Sequence, residues 1–143
     1  MAWKHQKLLL NLGNAVQAIC GEERSAAVDD LQARAKAEAM ACFHAAGIPF
    51  VGDEADARRR GTIITVRPIE GATRGGGSTW QSIQRGKVEV ESDYLNGEVV
   101  FLGRLHGVPT PVNELLRATA NRHAREGVAP GTVSAAELLA RLR

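Results

Sequence analysis

Apolar residues in the first stretch of the chain recur at three- and four-residue spacing. Leu8, Leu12, Val16 and Ile19 fall on one side of an α-helix running from Trp3 to Ile19, and Gly21 supplies its stop. Ser25 is placed to cap a second helix, in which Val28, Leu31, Ala35, Met40 and Phe43 keep the period until Gly47 and Pro49 end it. Asp53 opens a shorter polar helix through Arg60, and Ile63, Ile64 and Val66 follow before Pro68 interrupts. Gly71, Gly75, Gly76 and Gly77 crowd one short stretch, too much glycine for an element interior, so a loop there delivers the chain to Ser78. Ser78 is a natural N-cap for a short helix carrying Trp80 and Ile83 and ending at Gly86. Thr110 before Pro111 reads as a cap followed by the residue best suited to a first helical position; Leu115, Leu116 and Ala120 continue the pattern. A last helix runs from Ser134 to Leu142. The pattern predicts one all-α domain of six or seven helices over residues 1–143, with no internal repeat.

One segment supports two readings. Between Lys87 and Leu102, alternating Val88 and Val90, then Asn96-Gly97, then Val99-Val100-Phe101 are the local signals of a β-hairpin. A helix through the same residues puts Tyr94, Leu95, Val99, Leu102 and Leu105 on one face, with Gly97 costing about 1 kcal/mol. Periodicity leaves the two nearly even.

Composition narrows the function classes. The chain has 143 residues, 44% hydrophobic and 24% charged, enough to bury the core of one soluble domain. A net charge of +2 with dispersed arginines does not indicate a nucleic-acid partner. The densest basic run, Arg58-Arg59-Arg60, follows Asp53, Glu54 and Asp56, so pairing along a helix and solvation account for it. Cys20 and Cys42 have no metal-ligand spacing and read as buried, reduced thiols of a cytoplasmic protein. Leu8-Leu9-Leu10 is broken at once by Asn11, so no membrane span is predicted. His5, His44, His106 and His123 show no metal-ligand spacing, and no metal is expected.

Candidate chemistry begins on the first helix. Lys7, Asn11 and Asn14 stand at i, i+4 and i+7, which at about 100° per residue places all three on one narrow side, opposite the leucines and valine. Two carboxamides and an ammonium in one stripe either face water or pair with something, and a substrate is one such partner.

The residues themselves then point to a family. Lys7-Leu8-Leu9-Leu10-Asn11 with Asn14-Ala15 resembles the opening helix of the ketopantoate reductase C-terminal domain, marked by a lysine with an asparagine four residues on. Downstream, Ser78-Thr79-Trp80-Gln81-Ser82 resembles the family's serine and glutamine motif. Glu91-Ser92-Asp93-Tyr94-Leu95-Asn96-Gly97 is similar to its acidic segment ending in Asn-Gly, and 107–113, ending in Asn113, completes the ordered series. The resemblance covers essentially the whole chain. It implies an all-α fold like that of the 6-phosphogluconate dehydrogenase C-terminal domain, with 93–105 helical. Departures are Ala15 where the family commonly has a second asparagine, with Asn14 one residue early, and Thr79 and Ser82 in place of Met and Asp.

Carried across position by position, the resemblance makes Lys7 the general acid and Glu91 an acidic residue contacting substrate and lysine. Asn11, Asn14 and Ser78 become substrate-binding residues. Each role is chemically sensible: hydride addition to a ketone leaves negative charge on oxygen, which a nearby ammonium both stabilises and protonates. The implied reaction is NADPH-dependent reduction of 2-dehydropantoate to the 2-hydroxy acid, in pantothenate biosynthesis. Rival readings are a reductase of the same family for another 2-keto acid, and a non-catalytic helical module that dimerises or binds a partner. A homodimer is expected from the resemblance and from the long apolar surface of the first two helices.

No strand, Gly-x-Gly-x-x-Gly turn and helix occur in sequence here, and Gly75-Gly76-Gly77 follows no predicted strand. The resemblance implies that a nucleotide-binding Rossmann domain precedes Trp3 in the full-length protein and carries the NADPH. Titration of NADPH fluorescence with this chain alone is therefore expected to show no binding, and saturation in the micromolar range would contradict the domain reading.

Overall fold

The structure, a computed structural model, describes residues 2–51, 58 and 92–142. The first apolar stripe folds as a helix in two segments, α1 (Ala2–Asn11) and α2 (Gly13–Cys20), meeting at Leu12, whose φ of −58° and ψ of −31° are still those of a right-handed helix. Leu12, Val16 and Ile19 are buried as the spacing predicts, with Leu9 joining them and Leu8 only half-buried. Gly13 sits at the break because the Gln32 side chain of the next helix lies across it; a Cβ there would stand 3.1 Å from Gln32 Nε2. Gly21 ends α2 with φ +70°, a conformation that L side chains avoid.

Helix α3 (Ala26–Ala45) starts where Ser25 predicts, its Oγ accepting from Val28 N at 3.3 Å. Leu31, Ala35, Ala39, Cys42 and Phe43 form its buried side. The small alanines in that row let neighbouring helices come close, and α3 touches every other described helix. Arg58 is helical and exposed; the rest of the predicted Asp53–Arg60 helix, the Ile63–Val66 run, the glycine loop and the Ser78 helix lie outside the described residues.

The segment open to two readings is a helix, α4 (Ser92–His106); its buried face keeps Val99 and Leu102 of the predicted row, with Leu95 half-buried, but is rotated away from Tyr94 and Leu105. Tyr94 and Leu105 are 73% and 63% exposed, whereas Asn96, Val99, Val100, Leu102 and Gly103 are buried. The buried row is centred on Asn96, Val99, Val100 and Gly103, turned away from the aromatic that suggested the other face. Gly103 is where α4 meets the turn leading out of it: a Cβ would fall 2.6 Å from Val108 O. Helix α5 (Pro111–Glu126) follows after four residues and packs back along α4, and α6 (Ala135–Ala140) closes the chain. Ser134 caps α6 with a capping box, its Oγ accepting from Glu137 N while the Glu137 carboxylate accepts from Ser134 N.

Two apolar clusters result. One joins α2, α3, α5 and α6 through Val16, Ile19, Leu31, Leu116 and Leu138; the other joins α1, α3 and α4 through Leu9, Leu12, Phe43 and Val99. Each such side chain contributes about 1.5–3 kcal/mol when fully buried. The apolar side of the first two helices, expected to offer a dimer surface, is spent inside the domain, leaving Trp3 and Leu10 partly exposed.

Between these clusters runs a polar junction. Thr110 was expected to cap α5, but its side chain makes no cap bond. Pro111 has no N–H, so Val112 and Asn113 present the first donors, and the Glu38 carboxylate of α3 accepts both, at 2.9 and 3.0 Å. Asn113 Nδ2 donates to Glu38 Oε2 at 2.7 Å and to Ala35 O at 2.9 Å. Because both neighbours only accept, the orientation of the Asn113 amide is determined, and its Oδ1 must receive Asn96 Nδ2 of α4, at 3.0 Å. Asn96 Oδ1 is left buried without a partner among the described residues. Replacing Glu38 with alanine orphans donors at the α5 start, and is expected to destabilise the domain by about 2–3 kcal/mol, read as a lower denaturant midpoint at constant m-value.

Candidate active site

The stripe Lys7, Asn11 and Asn14 lies on the outer side of α1 and α2. Burial of Leu9, Leu12, Val16 and Ile19 on the opposite side forces this orientation. Lys7 is exposed, and Asn11 and Asn14 are half-buried. Among the described residues none of the three has a hydrogen-bond or ion-pair partner. The structure therefore brings Lys7, Asn11 and Asn14 together on one accessible row; Ser78 and Glu91 lie outside the described residues.

The first turn of α4, which follows Glu91 in the chain, is held from α5. Two residues on, Asp93 accepts from Arg117 Nε at 2.8 Å and from Asn121 Nδ2 at 2.6 Å, tying the first turn of α4 to α5. Burial works against the Asp93 charge, but these two donors prevail and hold its carboxyl below its ordinary range.

Asn14 also borders a groove between α2 and the start of α3. Leu10, Gly13 and Gln17 form one wall, flanking the stripe by the helical turn angle, and the Gly21–Ser25 loop forms the end. Its volume of about 1050 Å³ is far more than a small keto acid fills. The rim is ordered by Glu23, whose Oε1 accepts from Ser25 Oγ at 2.7 Å and whose Oε2 accepts from Ala135 N at 3.0 Å. The Ser25 hydroxyl first, and the Ala135 N–H second, hold the Glu23 carboxyl below its ordinary range.

Among the described residues, other titratable groups do not build a second site. Cys20, at the groove floor, is buried and free, and burial, then the charges of Glu23 and Glu137, push its thiol up to about 12. Cys42 donates to Val99 O at 3.7 Å, and burial raises it too. His5 Nδ1 donates to Pro49 O at 2.9 Å and its ring leans on Phe43. His123 is buried, and burial lowers its pKa. No group of three or more potential metal ligands occurs among the described residues, and none of their helices is long and apolar enough to cross a membrane.

Sequence reasoning missed the buried polar residues. Asn96 and Asn113 each lie in a motif that carried the resemblance, yet neither was given a role; the structure bonds them to each other. Their position in apolar-periodic helices was the available signal, since a buried carboxamide needs a partner. Glu38 gave no such signal, because its partners lie 74 and 75 residues away.

Comparison with known proteins places this all-α domain, with its outward lysine and asparagine row, in a family. The pattern of the family described as "Ketopantoate reductase PanE/ApbA C terminal" matches residues 1–124, and the chain belongs to that family. It is similar to a solved PanE/ApbA family ketopantoate reductase from Ralstonia eutropha JMP134, at 31% identity and a TM-score of 0.67. That likeness covers 86% of this chain and 41% of the other, so the chain spans about two fifths of that reductase's length. No curated protein matches it.

A thiol held near 12 is almost wholly protonated at neutral pH, so Cys20 is no nucleophile despite its place in the groove. In the native chain at pH 8, Cys20 is expected to resist iodoacetamide, and to alkylate readily once denaturant exposes it. Mass spectrometry of the two samples checks this, and rapid native labelling at Cys20 would contradict the burial.

Proposed function

We propose that this chain is the substrate-binding and proton-donating domain of an NADPH-dependent 2-dehydropantoate 2-reductase, converting the 2-keto acid to the 2-hydroxy acid. The observation that carries the reading is the outward row of Lys7, Asn11 and Asn14, in a chain that belongs to the ketopantoate reductase family. An ammonium with no partner among the described residues, beside two free carboxamides, suits a ligand that is itself anionic and rich in acceptors.

None of the described residues supplies the strand, glycine turn and helix that would cradle a pyrophosphate. The cofactor's site belongs to the part of the full-length protein outside this chain. The reductase neighbour, of which this chain covers 41%, has room for such a part. What the chain's own residues do is orient and protonate. Asn11 and Asn14 hold the substrate by their amides, the Ser78 hydroxyl donates to its carboxylate, Glu91 orients the ammonium, and Lys7 Nζ delivers its proton to the oxygen that gains negative charge.

In the full-length enzyme, Lys7→Ala is expected to lower kcat for a 2-keto acid by on the order of 10² to 10⁴, with a smaller effect on KM. Asn11→Ala should raise KM more than it lowers kcat, and Glu91→Ala should worsen both. The helix survives the Lys7 change, since alanine is the best helix former and the residue lies off the core side. Steady-state kinetics checks these outcomes, and a folded Lys7→Ala enzyme within threefold of the parent rate would remove Lys7 from the mechanism.

A further inference from the structure

The family match stops at residue 124, inside α5, yet the residues after it reach back to the groove. Three contacts make the connection. Gly131 N donates to Ile19 O at 2.8 Å, in the last turn of α2. Gly21 and Gly131 pack backbone to backbone, so close that a Cβ on Gly21 would lie 3.2 Å from Gly131 Cα. Glu23 then joins the two ends, one carboxylate oxygen taking the hydroxyl of Ser25 and the other the first free N–H of α6 at Ala135.

We infer that Glu23 is a positioning residue for substrate, tying the rim of the Asn14 groove to α6 so that the segment beyond the family match sets the affinity of the site. The inference rests on the proposed reductase function. Its physical basis is the position of the loop. Residues 21–25 form the end of the groove that Asn14 borders, and a loop of this length has no apolar anchor of its own, since Gly21, Glu22, Glu23, Arg24 and Ser25 carry no apolar side chain. Its conformation is therefore held by hydrogen bonds to its neighbours, and Glu23 makes one within the loop and one to α6. Helix α6 is in turn held by Leu138 and Ala135, both fully buried against the core. The rim shares the rigidity of that core through this side chain as well as through the backbone contacts of Ile19 and Gly21 with Gly131. A mobile rim would let Asn14 and its neighbours sample arrangements in which substrate is held less well, which raises KM while leaving the proton transfer at Lys7 alone.

The test uses the full-length enzyme and 2-dehydropantoate. Glu23→Ala is expected to raise KM about tenfold with kcat within threefold of the parent. Glu23→Gln should restore KM to within twofold, because its amide oxygen can accept from Ala135 N while its NH₂ donates to Ser25 Oγ. Ala135→Pro removes the donor from the other side. Proline suits a first helical position, and Ser134, at φ −80° and ψ 156°, already has the extended conformation that a residue before proline prefers. This variant should reproduce the KM rise. A brace that served stability alone would lower the melting temperature of Glu23→Ala and leave KM unchanged. The inference is overturned if Glu23→Ala and Ala135→Pro both keep the parent KM, or if Glu23→Gln fails to rescue it, while Lys7→Ala still abolishes turnover. A parent enzyme that reduces no 2-keto acid overturns the proposed function itself, and this inference with it.

Discussion

The carboxylate of Glu38 is the point on which the helical packing turns. It comes from α3, which touches every other described helix, and it caps the start of α5 in place of the local residue expected there. Through Asn113 it also reaches Asn96 on α4, so three helices share one chain of hydrogen bonds. Apolar contact is nearly indifferent to sliding a helix by a fraction of a turn; directional bonds to a determined amide are not. The network thus explains why α4 buries Asn96, Val99 and Gly103 while Tyr94, Phe101 and Leu105 stay exposed.

With that register set, the site follows from what is left over. The core consumes the leucine and valine side of the first two helices, and the lysine and asparagine side can only point outward. In the proposed reading this row, whose Asn14 borders the groove, is half of a binding site. Its other half, in the proposed reading, comes from chain outside this one, which agrees with a domain spanning 41% of a related reductase. The two cysteines and the buried His123 are drawn into packing, where burial keeps them neutral.

Much of the fold was legible in the chain because its signals are local. The Ser25 cap, the Gly21 and Gly47 stops and the row Leu12, Val16, Ile19 each depend on residues within one or two turns, and all appear as read. The row of Lys7, Asn11 and Asn14 was legible for the same reason, being a matter of helical angle. The family was legible through ordered motifs, and among their residues Asn96 and Asn113 now have structural partners.

Sequence by itself therefore determined the all-α class, most helix boundaries, the polar stripe and the family. Tertiary structure alone decided that α4 presents Asn96 inward and leaves Tyr94 and Leu105 outside, that Glu38 and not Thr110 caps α5, and that the Gly21–Ser25 rim is fastened to α6. The reason is distance along the chain. Hydrophobic period and capping report interactions within about four residues, whereas the bonds that chose these outcomes join residues 17, 74 and 112 positions apart, where no local pattern records which partner will arrive.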